Sequence, residues 1–242
     1  MNKSISITIA YTYIFSVFLL LLTFKNELTV SILLQNTIFF LYISYLIFRN
    51  FISSGLEIFS LASKITYFRL SISIIILIAA INSNINSNIF DIFYVGKIII
   101  ILSTVSLIMD GLDGFIARKY NLVSKFGEII DQESDNFLML VISISLYLNK
   151  DIGLYVFFIP LYRYAFLVSM KKYDWLQRTL PSSQFRKIAC VLTIVLMIMS
   201  QDVYFNYENT LFLVILSLFI ITFSFSKDII CLLYTSPSPR DS

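Results

Sequence analysis

The strongest constraint on this chain is the recurrence, from one end to the other, of apolar runs long enough to cross a bilayer, separated by short polar patches. A transmembrane α-helix needs roughly 17–25 predominantly apolar residues. Such runs occupy residues 6–24, 30–48, 68–84, 93–112, 128–148, 152–170, 187–203 and 210–226. Only 14% of the 242 residues are charged, against about a quarter in a soluble domain, so lipid has to solvate most of this surface. Backbone exposed to lipid must satisfy its own hydrogen bonds. The expectation is therefore an all-α polytopic membrane protein with about eight transmembrane helices. The 15 Tyr and 23 Phe suit aromatic rings at the two interfaces.

Between the second and third runs, residues 55–69 (GLEIFSLASKITYFR) read as an amphipathic helix lying on the membrane before the chain enters it. Lys and Arg set the orientation. With the N-terminus inside, Lys3, Arg49, Lys64, Arg69, Arg118, Lys119, Lys125, Lys171, Lys172, Arg178, Arg186, Lys187 and Lys227 all fall on the inner side. Lys25, Lys97 and Lys150 fall outside. The first run is followed at once by a second and by no small-residue cleavage site, so both are read as anchors rather than a leader. Residues 1–50 form a transmembrane hairpin and 51–230 the main membrane domain. Residues 231–242 (CLLYTSPSPRDS) break from this pattern and resemble the translation of a sequencing-library adapter, a non-native tail.

The chain has no histidine. This excludes Ser-His-Asp and Cys-His nucleophilic catalysis and any histidine-ligated metal or haem. The two cysteines, Cys190 and Cys231, have neither the spacing of a metal motif nor that of a redox motif. Acid–base and metal chemistry would fall to carboxylates, Lys, Tyr or Cys.

Carboxylates are concentrated in residues 110–135, DGLDGFIARKYNLVSKFGEIIDQESD. Acidic groups at membrane depth are costly and usually functional. Asp110 and Asp113 are three apart and Asp131 and Asp135 four apart, so each pair shares a helix face. Two antiparallel helices joined through residues 118–126 would bring the four together. So many like charges cannot all stay ionised without cations. Hard oxygen ligands suit magnesium, manganese or calcium, and two such ions could clamp a diphosphate. Gly114, Ala117 and Gly127, on the same stripes, leave room for a flat ligand.

Asp110, Asp113-Gly114, Ala117-Arg118, Gly127, Asp131 and Asp135 resemble at every fixed position the signature D-x-x-D-G-x-x-A-R, eight residues, G-x-x-x-D-x-x-x-D, of the CDP-alcohol phosphatidyltransferases. The resemblance implies a six-helix membrane core over about residues 57–226, usually a homodimer, with the N-terminal hairpin added to it. It further implies two divalent cations, Mg or Mn, held by Asp110, Asp113, Asp131 and Asp135, with Asp135 as general base. Gly114, Ala117, Arg118 and Gly127 would bind the nucleotide. The family's Asn-x-x-Thr-x-x-Arg pattern reads here Ser63, Thr66 and Arg69, which adds Thr66 as a nucleotide contact. Arg163, Arg186 and Lys187 resemble the basic pocket for an acceptor phosphate.

The implied reaction is transfer of a phosphatidyl group from a CDP-linked lipid donor, CDP-diacylglycerol, to a small alcohol such as glycerol 3-phosphate, with release of CMP. Its partners would be membrane lipids, not nucleic acid, and its site would face the cytoplasm at a bacterial inner membrane. Two alternatives are weighed. A membrane prenyltransferase would place its acidic motifs on helices far apart in sequence. An ion-coupled transporter would carry acids in several spans.

Overall fold

The computed structural model describes residues 3–24, 28–53, 61–85, 92–119, 125–172 and 184–234. These form eight α-helices and no strand among the described residues: α1 (Lys3–Thr23), α2 (Val30–Ser53), α3 (Leu61–Ile85), α4 (Ile92–Lys119), α5 (Lys125–Asn149), α6 (Phe158–Lys172), α7 (Gln184–Met199) and α8 (Tyr207–Tyr234). A 3₁₀ turn, Leu154–Phe157, leads into α6. Each of the eight expected spans coincides with a helix. Five helices (α1, α2, α3, α4 and α8) are long and apolar enough to cross a membrane. In α5 the first half carries Glu128, Asp131, Glu133 and Asp135, while the second half is apolar. The 15 residues of α6 and 16 of α7 rise only about 22–24 Å, short of a ~30 Å hydrocarbon core.

The core sits around α3. Its span Ser63–Ile85 is 83% buried, whereas the other four spans are 22–28% buried. Ile72, Ile74, Ile75, Ile76, Ile78 and Ala80 point to several neighbours because apolar residues occupy nearly every face. A helix hydrophobic all round is one buried all round. Helices α1, α2, α4 and α5 pack on it, α6 and α7 pack on α5, and α8 closes on α6 and α7.

Many polar side chains inside the bundle find partners, in two ways. Hydroxyls bond back to their own helix, as Thr12 Oγ1 does to Thr8 O (2.8 Å), Ser73 to Arg69 O (3.2 Å) and Thr193 to Ala189 O (2.8 Å), which removes the cost of an unpaired donor in lipid. Others join helices. Ser16 donates to Asn36 (2.7 Å) and Tyr13 pairs with Thr37 (3.0 Å) within the α1–α2 hairpin. Asn82 reaches Gln35 (2.8 Å), and Ser44 of α2 meets the Tyr67 hydroxyl of α3. At the end of the bundle remote from the aspartates, Ser83 bonds Asn149, Ser145 bonds Gln201, and Lys150 caps Asp202 O. Such interhelical bonds average about 0.6 kcal/mol each, enough together to set helix register.

Two boundaries differ from the sequence reading. Of the expected interfacial segment 55–69, residues 54–60 lie outside the described residues. From Leu61 onward the chain is already part of the uninterrupted α3, so Thr66 and Arg69 belong to the central spanning helix. The polar residues Ser63, Thr66 and Arg69 are all buried there, and Thr66 and Arg69 bond to aspartates of α4 and α5. At the other end α8 continues to Tyr234, taking in Cys231 and the buried Leu232, so the first residues of the expected tail extend the helix. Residues 235–242 lie outside the described residues.

Candidate active site

Four carboxylates from two helices meet one arginine from a third. The last turns of α4 carry Asp110 and Asp113, and the first turns of α5 carry Asp131 and Asp135. Arg69 of α3, 1% exposed, reaches all of them. Its Nη1 lies 2.7 Å from Asp110 Oδ1, 3.2 Å from Asp113 Oδ2 and 2.9 Å from Asp131 Oδ1, and its Nη2 lies 2.5 Å from Asp135 Oδ1. The helical spacing of each aspartate pair is what turns both members toward α3. Thr66, one turn before Arg69, donates to Asp113 Oδ2 at 3.2 Å.

The charge is unbalanced. A guanidinium carries one positive charge, and its Nη1 offers two protons to three carboxylates. Arg69 Nε, buried, has no partner among the described residues. One ligand oxygen each from Asp110, Asp113 and Asp131 lies within 4.8 Å of the others, a spacing that could hold a metal ion. An all-carboxylate set of this kind fits a hard divalent cation. Asp135 stands outside that triad and joins the cluster through the other guanidinium nitrogen.

The remaining expected site residues divide. Gly114 follows Asp113 and Gly127 stands one helical turn before Asp131, both half-buried on the converging segments. Ala117 and Arg118 lie in the final turns of α4, with their side chains outside the described residues. Arg163 of α6 pairs with Glu133, its Nη2 2.7 Å from Glu133 Oε1, while Tyr164 donates to Oε2 at 3.0 Å. Arg163 Nη1 is buried with no partner among the described residues. Helix α7 packs on both α4 and α5. Arg186 lies 3.5 Å from Asp228 of α8, and Lys187 is exposed.

Sequence reasoning assigned no role to Arg69 beyond inner-face charge and a motif position. Its signal was its place: a cation followed immediately by the largely apolar residues 70–81 must bury its head and requires acids nearby. Glu133 was likewise left without a partner, although Arg163, inside a span, required one.

A family model described as CDP-alcohol phosphatidyltransferase matches residues 59–225. The chain therefore belongs to the CDP-alcohol phosphatidyltransferase family, and α1 and α2 precede the matched region. Two curated relatives, from Rickettsia typhi (strain ATCC VR-144 / Wilmington) and Rickettsia prowazekii (strain Madrid E), are named CDP-diacylglycerol–glycerol-3-phosphate 3-phosphatidyltransferase. Each is 36% identical over 80 residues, which is 33% of this chain and 39% of the relative. The chain thus spans about two-fifths of the length of the curated relatives it matches. No solved structure gives a significant match.

Proposed function

We propose that this chain transfers a phosphatidyl group from CDP-diacylglycerol to the hydroxyl of glycerol 3-phosphate and releases CMP. The observation that carries this reading is the convergence of Asp110, Asp113, Asp131 and Asp135 on Arg69 at one end of a membrane bundle. The names of the two rickettsial relatives support the choice of donor and acceptor.

Asp110, Asp113 and Asp131 would hold divalent cations, Mg or Mn, with Asp135 completing the set. Such ions, when bound, supply the positive charge that a diphosphate needs for attack and departure. Asp135 accepts the proton of the attacking hydroxyl. The new bond joins the acceptor oxygen to the lipid-bearing phosphorus, and the bond from that phosphorus to the CMP oxygen breaks. Arg69 fixes the four carboxylates against their mutual repulsion, and Thr66 steadies Asp113 while standing toward the nucleotide. Gly114, Ala117 and Gly127 leave room for the cytidine, with Arg118 holding its phosphates. Arg163, Arg186 and Lys187 form the acceptor side. Of these, Arg163 has in its Nη1 a donor with no partner among the described residues. The site faces the cytoplasm of a bacterial inner membrane, where the donor's tails stay in lipid, and the enzyme acts as a homodimer.

The test is CMP release from CDP-diacylglycerol by the purified full chain with Mg or Mn across a panel of acceptor alcohols. Release that depends on glycerol 3-phosphate is the expected result. Absence of release with every acceptor sinks the reading, and release with a different alcohol alone corrects the acceptor. Arg163→Met is expected to raise the KM for glycerol 3-phosphate by about 10–100-fold, the worth of a charge-assisted hydrogen bond, with a much smaller change in kcat. An unchanged KM would remove Arg163 from the acceptor pocket. Glu133, 41% exposed at its side chain, can turn to water in that variant.

A further inference from the structure

The added hairpin leaves a groove where α1 meets the central helix. It encloses about 540 Å³. One wall is the α1 stripe Ile7, Tyr11, Ile14 and Phe18, all exposed large side chains at successive helical turns. The other wall is Lys64 and Phe68 of α3, one turn apart. An edge-on contact of Phe68 with Phe15, ring centroids 5.2 Å apart, closes the floor. Helix α2 intervenes between α1 and α3 in the chain, so the two run in the same direction. Lys64 then lies one turn from Phe68 toward the starts of both helices, the end at which the aspartates also lie.

Two properties define what fits. From Ile7 to Phe18 the stripe rises about 16 Å, half of a ~30 Å hydrocarbon core and hence one leaflet deep. At its polar end stands a half-buried lysine with no acidic partner among the described residues. A lysine at headgroup level beside an apolar channel one leaflet long is complementary to one lipid of negative charge.

We propose that this groove binds one anionic phospholipid, its phosphate against Lys64 and one acyl chain along Ile7, Tyr11, Ile14 and Phe18. The site is distinct from that of the donor. Thr66 and Arg69 turn to the aspartates, whereas Lys64 and Phe68 lie on the opposite face of α3. The proposal needs only the membrane orientation, and it stands whichever group the aspartates transfer.

The test is native mass spectrometry of the purified full chain in detergent, incubated with phosphatidylglycerol or with phosphatidylcholine. Wild type is expected to retain one phosphatidylglycerol in preference to phosphatidylcholine. Lys64→Gln should lower that retention about five-fold, the worth of one lysine near an anionic surface. Ile14→Trp should lower retention of both lipids by filling the channel, and Lys97→Gln, altering a cation of α4 outside the groove, should change nothing. Asp131→Asn should retain the lipid, separating this site from the aspartates. Equal retention of the two lipids by wild type overturns the proposal, as does unchanged selectivity in Lys64→Gln or loss of the lipid in Asp131→Asn. Disulfide cross-linking of two copies through Tyr11→Cys would assign the groove to a second chain instead. A failure in CMP release leaves these readouts untouched.

Discussion

Asp135→Asn is expected to lower the rate of CMP release by about 10²–10⁴-fold, the range over which a positioned proton acceptor contributes, with little change in the KM for the donor. The substitution is nearly isosteric. Asn retains an oxygen that can accept from Arg69 Nη2, which Asp135 meets at 2.5 Å, so the local packing of α5 on α3 survives. What is lost is the ability to take a proton from an attacking hydroxyl. The oxygens of Asp110, Asp113 and Asp131 that lie within 4.8 Å of one another are untouched, so affinity for a divalent cation should be largely kept. The paired variant Asp131→Asn removes one of those oxygens and should instead raise the concentration of Mg or Mn needed for half-maximal activity. Initial rates against donor and metal concentration separate the two. Undiminished release by Asp135→Asn, or a loss confined to KM, would place the proton acceptor elsewhere.

The bundle and its acidic centre were legible in the sequence for different physical reasons. The helices were legible because lipid leaves the backbone few alternatives, so apolar length translates directly into structure. The aspartate pairs were legible because a spacing of three or four residues fixes a shared face whatever surrounds it. The partner that α3 brings to the aspartates was not legible. Arg69 precedes Asp110 and Asp113 by about forty positions and Asp131 and Asp135 by about sixty, and spacing within one helix says nothing of which helix lies opposite. The limit of the interfacial segment was misread for a related reason. Thr66 and Arg69 look like the wet face of a surface helix when considered alone, and like the inner face of a spanning helix once α4 and α5 supply their acceptors. The family match covers residues 59–225, so the way the hairpin docks on α3, through Ser44–Tyr67 and Gln35–Asn82, had to be read from the structure.

Arg69→Met should produce the largest loss of stability in the protein, and one that divalent cations partly reverse. Arg69 is 1% exposed and is the cation common to four carboxylates. Removing one partner of a buried ionic group costs about 3–5 kcal/mol, because the charges left behind remain desolvated. Here four carboxylates remain with no cation among them: those that stay ionised repel one another across the α4–α5 junction, and the others must take up protons. In a buffer stripped of divalent ions the variant should unfold well below wild type, or fail to hold α4 and α5 together. Adding Mg or Mn should restore much of the difference, since a cation among the carboxylates replaces the missing charge and binding to the folded state alone stabilises it. Wild type, with Arg69 in place, should respond less to the same addition. Arg69→Lys keeps the charge but has no fork to reach Asp131 and Asp135 from separate nitrogens, so it should fall between the two. Thermal unfolding in detergent, with chelator and then with added metal, reads all three chains. If metal-free Arg69→Met melts with wild type, the guanidinium is not what holds the carboxylates together. If added metal raises wild type and variant equally, the cation does not substitute for the arginine.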